Sequence, residues 1–186
     1  LAAGVGTAVV LGQMPPRAEP RAVTPRGPLL ESERHLVALF ENAAPSVAYI
    51  TTEVVQRTGL FTAEVGQGAG SGFVWDTAGH VVTNNHVIEN SKEIEVVLND
   101  RRTFDAKLIG KDPSTDLAVL KIEGKDLPYI SSGNSDSLRV GEWVLAVGNP
   151  FNLTSTVTAG IVSAKGRSLN ILNDQYKIES FIQTDA

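Results

Sequence analysis

His86 and Asp116 have the types and the setting to do chemistry together. His86 follows Val81-Val-Thr-Asn-Asn85 and precedes Val87 and Ile88, so it stands where an apolar run gives way to polar residues. That puts an imidazole, the side chain that titrates near neutral pH, at the buried edge of a β-domain beside a loop. Asp116 stands directly before Leu117-Ala-Val-Leu120. A carboxylate at the mouth of a buried strand is costly unless it is paired or hydrogen-bonded. Paired with His86, it would accept from Nδ1, hold the ring in one tautomer and stabilise its cation, while Nε2 faces a nucleophile. A His, then an Asp, with a Ser still to come, is one of the chain orders in which such machinery occurs. Taken alone, each residue also has a plainer reading: a satisfied structural histidine, and a cap at a strand start. Of the three histidines, only His86 is expected in such a setting. His35 is read as a solvated helix residue without chemistry, and Asp112, which precedes a proline, as a turn residue.

Composition removes several alternatives. The 186 residues carry 16 Lys and Arg against 21 Asp and Glu, a formal charge of -5, with no cysteine. A thiol nucleophile, a structural zinc ribbon and a disulfide scaffold are therefore excluded. The acidic balance, with no basic cluster against it, disfavours a nucleic-acid surface. The 42% apolar content excludes disorder throughout. Gly66-Gln-Gly-Ala-Gly-Ser-Gly72 is glycine-rich, but a phosphate loop needs a strand before it and a helix after it. The next residues, Phe73-Val-Trp-Asp-Thr-Ala-Gly79, read as a strand and a turn. The glycines are therefore expected to form a loop and a strand start where backbones pass closely.

The elements that must position His86 and Asp116 are short strands. Residues 1–14 are uncharged and mostly small or aliphatic. A bilayer span takes about 20 apolar residues, so this stretch reads as the remnant of a signal peptide or membrane anchor, or as a plain terminal stub. Residues 15–30 are Pro-rich and polar, as in an extended linker. Residues 31–44 read as a helix, with Leu36, Leu39, Phe40 and Ala43 at helical spacing, Ser32 as N-cap and Pro45 as stop. From Ser46 onward come β-branched and aromatic runs at 47–52, 72–75, 80–83, 94–98, 104–109 and 117–122. After the polar break Ser131–Ser137 they resume at 143–147, 154–158, 161–164 and 177–183. Many short strands with turn signals between them predict an antiparallel sandwich or barrel.

Gly70-Ser-Gly-Phe-Val-Trp-Asp76 with His80-Val-Val-Thr-Asn-Asn-His-Val-Ile88 is similar to the histidine block of the HtrA/Deg family of serine endopeptidases. Asp112-Pro-Ser-Thr-Asp-Leu-Ala-Val-Leu-Lys-Ile122 resembles its aspartate block. Ala146-Val-Gly-Asn-Pro-Phe151, Thr156–Ala164 and Phe181-Ile-Gln-Thr-Asp-Ala186 resemble its second-lobe blocks, in the family's order. The resemblance implies an all-β, chymotrypsin-like double antiparallel β-barrel with a short N-terminal helix. The first barrel would span 45–130, and 131–186 would be a partial, incomplete second barrel. It implies His86 as general base and Asp116 as its orienting acid. The family's nucleophile lies in a Gly-Asn-Ser-Gly-Gly block a few residues past the Thr-Asp-Ala segment, so the catalytic serine is expected after Ala186, and Ser71, Ser114 and Ser163 are not candidates for it.

The implied activity is ATP-independent serine endopeptidase action on unfolded or misfolded polypeptides, with no metal, nucleotide or organic cofactor. The implied partners are those substrates, a homotrimer or higher oligomer, and in the parent protein a PDZ domain. The bacterial periplasm, with an inner-membrane anchor as a variant, is the implied location; a thylakoid lumen or mitochondrial intermembrane space is the alternative. Thr52–Gln67 and Lys165–Tyr176 are expected to be loops, the second helping to order the active site. The helix near Phe40 faces either a partner subunit or its own barrel. The competing functions are an inactive HtrA-like binding or chaperone module, which the residue at the nucleophile position decides, and an unrelated ligand-binding barrel, which would separate Asp116 from His86. A half-built barrel would leave unpaired strand edges, so the chain alone is expected to be unstable.

Overall fold

A computed structural model describes residues 27–57, 63–149, 155–168 and 179–186. Helix α1, Glu31–Ala43, starts at Leu30, whose backbone N–H donates to Glu33 Oε2 at 2.7 Å. The cap is therefore not Ser32, which lies inside the first turn. Glu33 reaches back over the helix start and, with Glu31, complements its positive end. Beyond Ala43 the chain passes through a 3-10 turn, Ala44–Ser46, that contains Pro45, and Ser46 Oγ donates to Ala43 O at 2.6 Å. Among the described residues no helix is long and apolar enough to cross a membrane.

The first sheet comprises β1 (Val47–Arg57), β2 (Ala63–Val74), β3 (His80–Asn84), β4 (Ser91–Leu98), β5 (Thr103–Asp105), β6 (Lys107–Asp112) and β7 (Leu117–Lys121). Its order is β5-β4-β1-β2-β3-β7-β6, and every neighbouring pair is antiparallel. Strands β8 (Trp143–Gly148), β9 (Thr156–Arg167) and β10 (Phe181–Thr184) form a second antiparallel sheet in the order β10-β9-β8. This is an all-β, chymotrypsin-like architecture. Its core lies in the first sheet, where Ile50, Val74, Val81, Val96, Leu98, Ala118, Leu120 and Ile122 are buried. In β7, buried Ala118 and Leu120 alternate with less buried neighbours, the period-2 pattern of a strand covering a core.

Several expected boundaries shift. The 104–109 run is not one strand. It breaks at Ala106, whose N–H donates to Ile94 O at 2.9 Å, so consecutive strands β5 and β6 lie at opposite edges of the sheet and curl it on itself. Conversely, the runs expected at 154–158 and 161–164 join in β9, because Gly160 keeps its place opposite Val144 in the ladder. Thr52–Gln67 is not mainly a loop. β1 and β2 stay in register from Val47↔Phe73 to Arg57↔Ala63, and residues 58–62 lie outside the described residues. Of the second expected loop, Lys165–Arg167 continues β9, and residues 169–178 lie outside the described residues.

The glycine run is strand as well, part of β2 rather than a loop, and its expected close passage is visible at Gly72. A Cβ on Gly72 would come within 2.7 Å of both Ile50 Cδ1 and the backbone oxygen of Val82. A methyl group there has a backbone atom in its way, which cannot rotate aside. Gly72→Ala is expected to lower stability by roughly 1–3 kcal/mol, the usual cost of overpacking. A thermal melt checks this, and an unchanged midpoint would contradict it.

Candidate active site

Strand β3 ends at Asn84, and a single helical turn, α2 (Asn85–Ile88), comes next. Asn85 and Ile88 are buried and pin this turn to the sheet, while His86 between them points outward. The partner strand β7 begins at Leu117, which pairs with Asn84. Asp116 is thus carried to the end of β3 by the ladder itself. A tight turn delivers it. Asp112 Oδ1 accepts from Ser114 N at 2.9 Å and Ser114 Oγ at 2.6 Å, and its Oδ2 accepts from Thr115 Oγ1 at 3.0 Å. The Ser114 hydroxyl, then that of Thr115, holds the Asp112 carboxyl below its ordinary value. Asp112 is the turn residue expected of it. Asp116 itself has φ 55°, the left-handed region that aspartate enters more readily than most residues.

His86 Nδ1 lies 2.6 Å from Asp116 Oδ2, and the backbone N–H of His86 donates to Asp116 Oδ1 at 2.9 Å. The Asn85 N–H donates to Asp116 O at 3.0 Å. Asn84 Nδ2 donates to Asp116 O at 3.1 Å and to Oδ2 at 3.2 Å. An ionised carboxylate only accepts, so Nδ1 carries the proton in this contact and Nε2 is left with a lone pair. The carboxylate is 17% exposed and the imidazole 68%. The arrangement can take a proton at Nε2, with the carboxylate placed to stabilise the resulting imidazolium. The separation of Asp116 from His86 that an unrelated barrel would require is absent.

His86 is not alone in having a carboxylate partner. His80 Nδ1 meets Asp76 Oδ2 at 2.7 Å, and its N–H donates to Asp76 Oδ1 at 3.2 Å. This pair lies within the β2–β3 turn, where Trp75 N donates to His80 O at 2.7 Å and Gly79 takes φ 89°. It closes a hairpin. His35, on α1, is exposed as expected. Ser71 Oγ accepts from Asn149 N at 3.0 Å, and Ser71 O accepts from Thr83 Oγ1 at 2.9 Å, so Ser71 ties β2 to β3 and to the end of β8. Ser114 is in the Asp112 turn, and Ser163 is exposed on β9. Asn84 is the site residue that sequence reasoning misses, although a carboxamide at a strand end two residues before a histidine is a visible signal.

A groove of about 650 Å³ runs between the two sheets, lined by Leu39, Phe73, Val82, Asn84, Leu117 and Trp143 among others. A cavity of about 700 Å³ lined by Ile88, Ile94 and Leu108 among others includes neither His86 nor Asp116. The sequence model of the trypsin-like peptidase domain matches residues 70–186, more than half of the chain. The chain belongs to that family. The probable periplasmic DegP-like serine endoprotease of Pseudomonas savastanoi pv. phaseolicola is 59% identical over 119 residues, 64% of this chain and 24% of that protein. Its counterpart in Chlamydia pneumoniae is 53% identical over 117 residues, 63% of this chain and 23% of that protein. The chain thus spans about a quarter of the length of these curated relatives. Among solved structures, the HtrA-type protease AlgW with tripeptide superimposes with a TM-score of 0.71 at 43% identity, over 81% of this chain and 46% of that one. Deg5 does so with a TM-score of 0.68 at 39% identity, over 84% and 75%. Within the trypsin-like peptidases the chain is of the HtrA/Deg kind.

The Asp76 carboxyl lies below its ordinary 3.8, chiefly because His80 donates to it. A carboxyl lowered on folding stabilises the fold above its unfolded value, and that contribution is lost as pH falls through the folded one. His80→Ala is expected to move the Asp76 midpoint up toward 3.8, as read by a carboxyl-carbon NMR titration. An unmoved midpoint would remove His80 as the cause.

Proposed function

We propose that the protein is an ATP-independent serine endopeptidase that degrades unfolded or misfolded polypeptides in envelope protein quality control. The observation that carries this reading is the 2.6 Å contact of His86 Nδ1 with a carboxylate that is itself held from two sides. His86 is the general base and Asp116 its orienting acid. The nucleophile is a serine beyond Ala186, delivered by the rest of a second barrel that starts near 131, the first barrel being 45–130. The serine hydroxyl gives its proton to Nε2 as its oxygen attacks the scissile carbonyl. The imidazolium is stabilised by Asp116, which stays ionised, and returns the proton to the leaving amine. Water then repeats the cycle on the acyl-enzyme.

DegP-like relatives described as periplasmic serine endoproteases support the reaction class and a periplasmic location. An HtrA-type relative with tripeptide supports a peptide substrate. An inner-membrane anchor, a homotrimer or higher oligomer, and a PDZ domain belong to the same reading.

The test is casein cleavage by the protein with its nucleophile segment, with and without His86→Ala. The variant is expected to lose on the order of 10⁴-fold in kcat or more. Equal cleavage by both would refute the assignment. An inert wild-type protein that still binds casein would favour the inactive binding module.

A further inference from the structure

We infer that Asn84 is a positioning residue for this reaction: its carboxamide sets the rotation of the Asp116 carboxylate, and through it the direction in which His86 presents Nε2. The inference rests on the peptidase reading for its catalytic consequence, although the geometry stands apart from it.

The usual role of an asparagine at this place is not the one it plays. Asn84 occupies the N-cap position of α2, where such a side chain would accept from the first turn, yet it makes no capping bond. It turns its amide to Asp116 instead. Both atoms it meets there, the backbone oxygen at 3.1 Å and Oδ2 at 3.2 Å, are acceptors. A carboxamide oxygen in that place would repel both, so the NH₂ group faces Asp116.

The carboxylate needs such a restraint. The terminal torsion of an aspartate is broad and nearly two-fold, so the side chain does not fix its own plane. The bond from the His86 N–H to Oδ1 opposes rotation about Cβ–Cγ at one oxygen. Oδ2 is the oxygen that the imidazole uses. The Asn84 amide opposes the same rotation at Oδ2 itself, so the carboxylate is held at both oxygens. The same amide, with the Asn85 N–H at 3.0 Å, also fixes the carbonyl of a residue held at φ 55°. Asn84 can serve as the anchor because its own backbone sits in the ladder opposite Leu117, one residue from Asp116.

The experiment uses the intact protein with its nucleophile, as wild type, Asn84→Ala and Asn84→Asp, the last being isosteric but placing an acceptor where the donor was. Asn84→Ala is expected to lower kcat about tenfold with KM unchanged, the pattern of an interaction that matters in the transition state and not in substrate binding. Asn84→Asp is expected to lose more, because a second carboxylate then faces the first. The His86 Nδ1 proton, read by NMR as a far-downfield resonance, is expected to be sharp in the wild type and broadened or lost in both variants. Unchanged kcat and an unchanged resonance in Asn84→Ala would overturn the inference. So would unfolding of both variants, which would assign the amide to the fold instead. If wild type and His86→Ala prove equally active, the peptidase reading fails. The resonance then still decides the geometry: its loss in the Asn84 variants supports the positioning role, and its persistence overturns it.

Discussion

The antiparallel ladder between β3 and β7 is the constraint on which the rest of the site depends. It joins His80 to Lys121 at one end and Asn84 to Leu117 at the other. Neither strand carries His86 or Asp116 inside it. The ladder instead sets the positions just past its end, where β3 turns into α2 and β7 has not yet begun. A slip of one residue would turn Val81, Ala118 and Leu120 out of the core. Burial of these apolar residues therefore fixes the register, and the register fixes the distance between an imidazole and a carboxylate that stand far apart in sequence. The polar site is held in place by apolar packing.

Among the described residues that pairing of groups occurs twice, and the comparison separates chemistry from architecture. At Asp76 and His80 the contact is 2.7 Å and at Asp116 and His86 it is 2.6 Å, each with a backbone N–H of the histidine donating to the second carboxylate oxygen. The first pair is local, four residues apart, and closes a turn whose Gly79 packs against the Ile122 carbonyl. The second joins separate strands, and its ring is 68% exposed against 38% for His80. A histidine–aspartate contact by itself is therefore not a mark of function; a contact between separate elements, with the carboxylate also held by the Asn84 amide, is what supports the reading. What distinguishes His86 is that its partner comes from another strand, leaving the ring free to face outward.

Much of this is legible in the residues. The step from Val81-Val to Asn84-Asn-His marks a strand end, and Asp116 before an apolar run marks a strand start. What cannot be read is whatever depends on pairing rather than on local preference. Glycine-rich 66–72 looks like a loop in isolation, and becomes a strand because β1 pairs with it along its whole length. The position of the break at Ala106 cannot be read from its neighbours alone, since its cause is a bond to Ile94 across the sheet. Asn84 is hidden for the same reason. Its side chain has a local role available to it, the helix cap, and declines that role for an acceptor thirty-two positions away.

The central claim is that His86 is the base and Asp116 its orienting acid. Alkylation tests it most directly. A peptidyl chloromethyl ketone, added to the intact protein, carries an electrophilic carbon to the nitrogen facing the substrate, which displaces chloride from it. Mass spectrometry then finds the peptide adduct. The account predicts a single adduct on His86, with none on His35 or His80, and a much slower reaction in Asp116→Asn. An adduct on His80, equal labelling of all three histidines, or no effect of Asp116→Asn would contradict it.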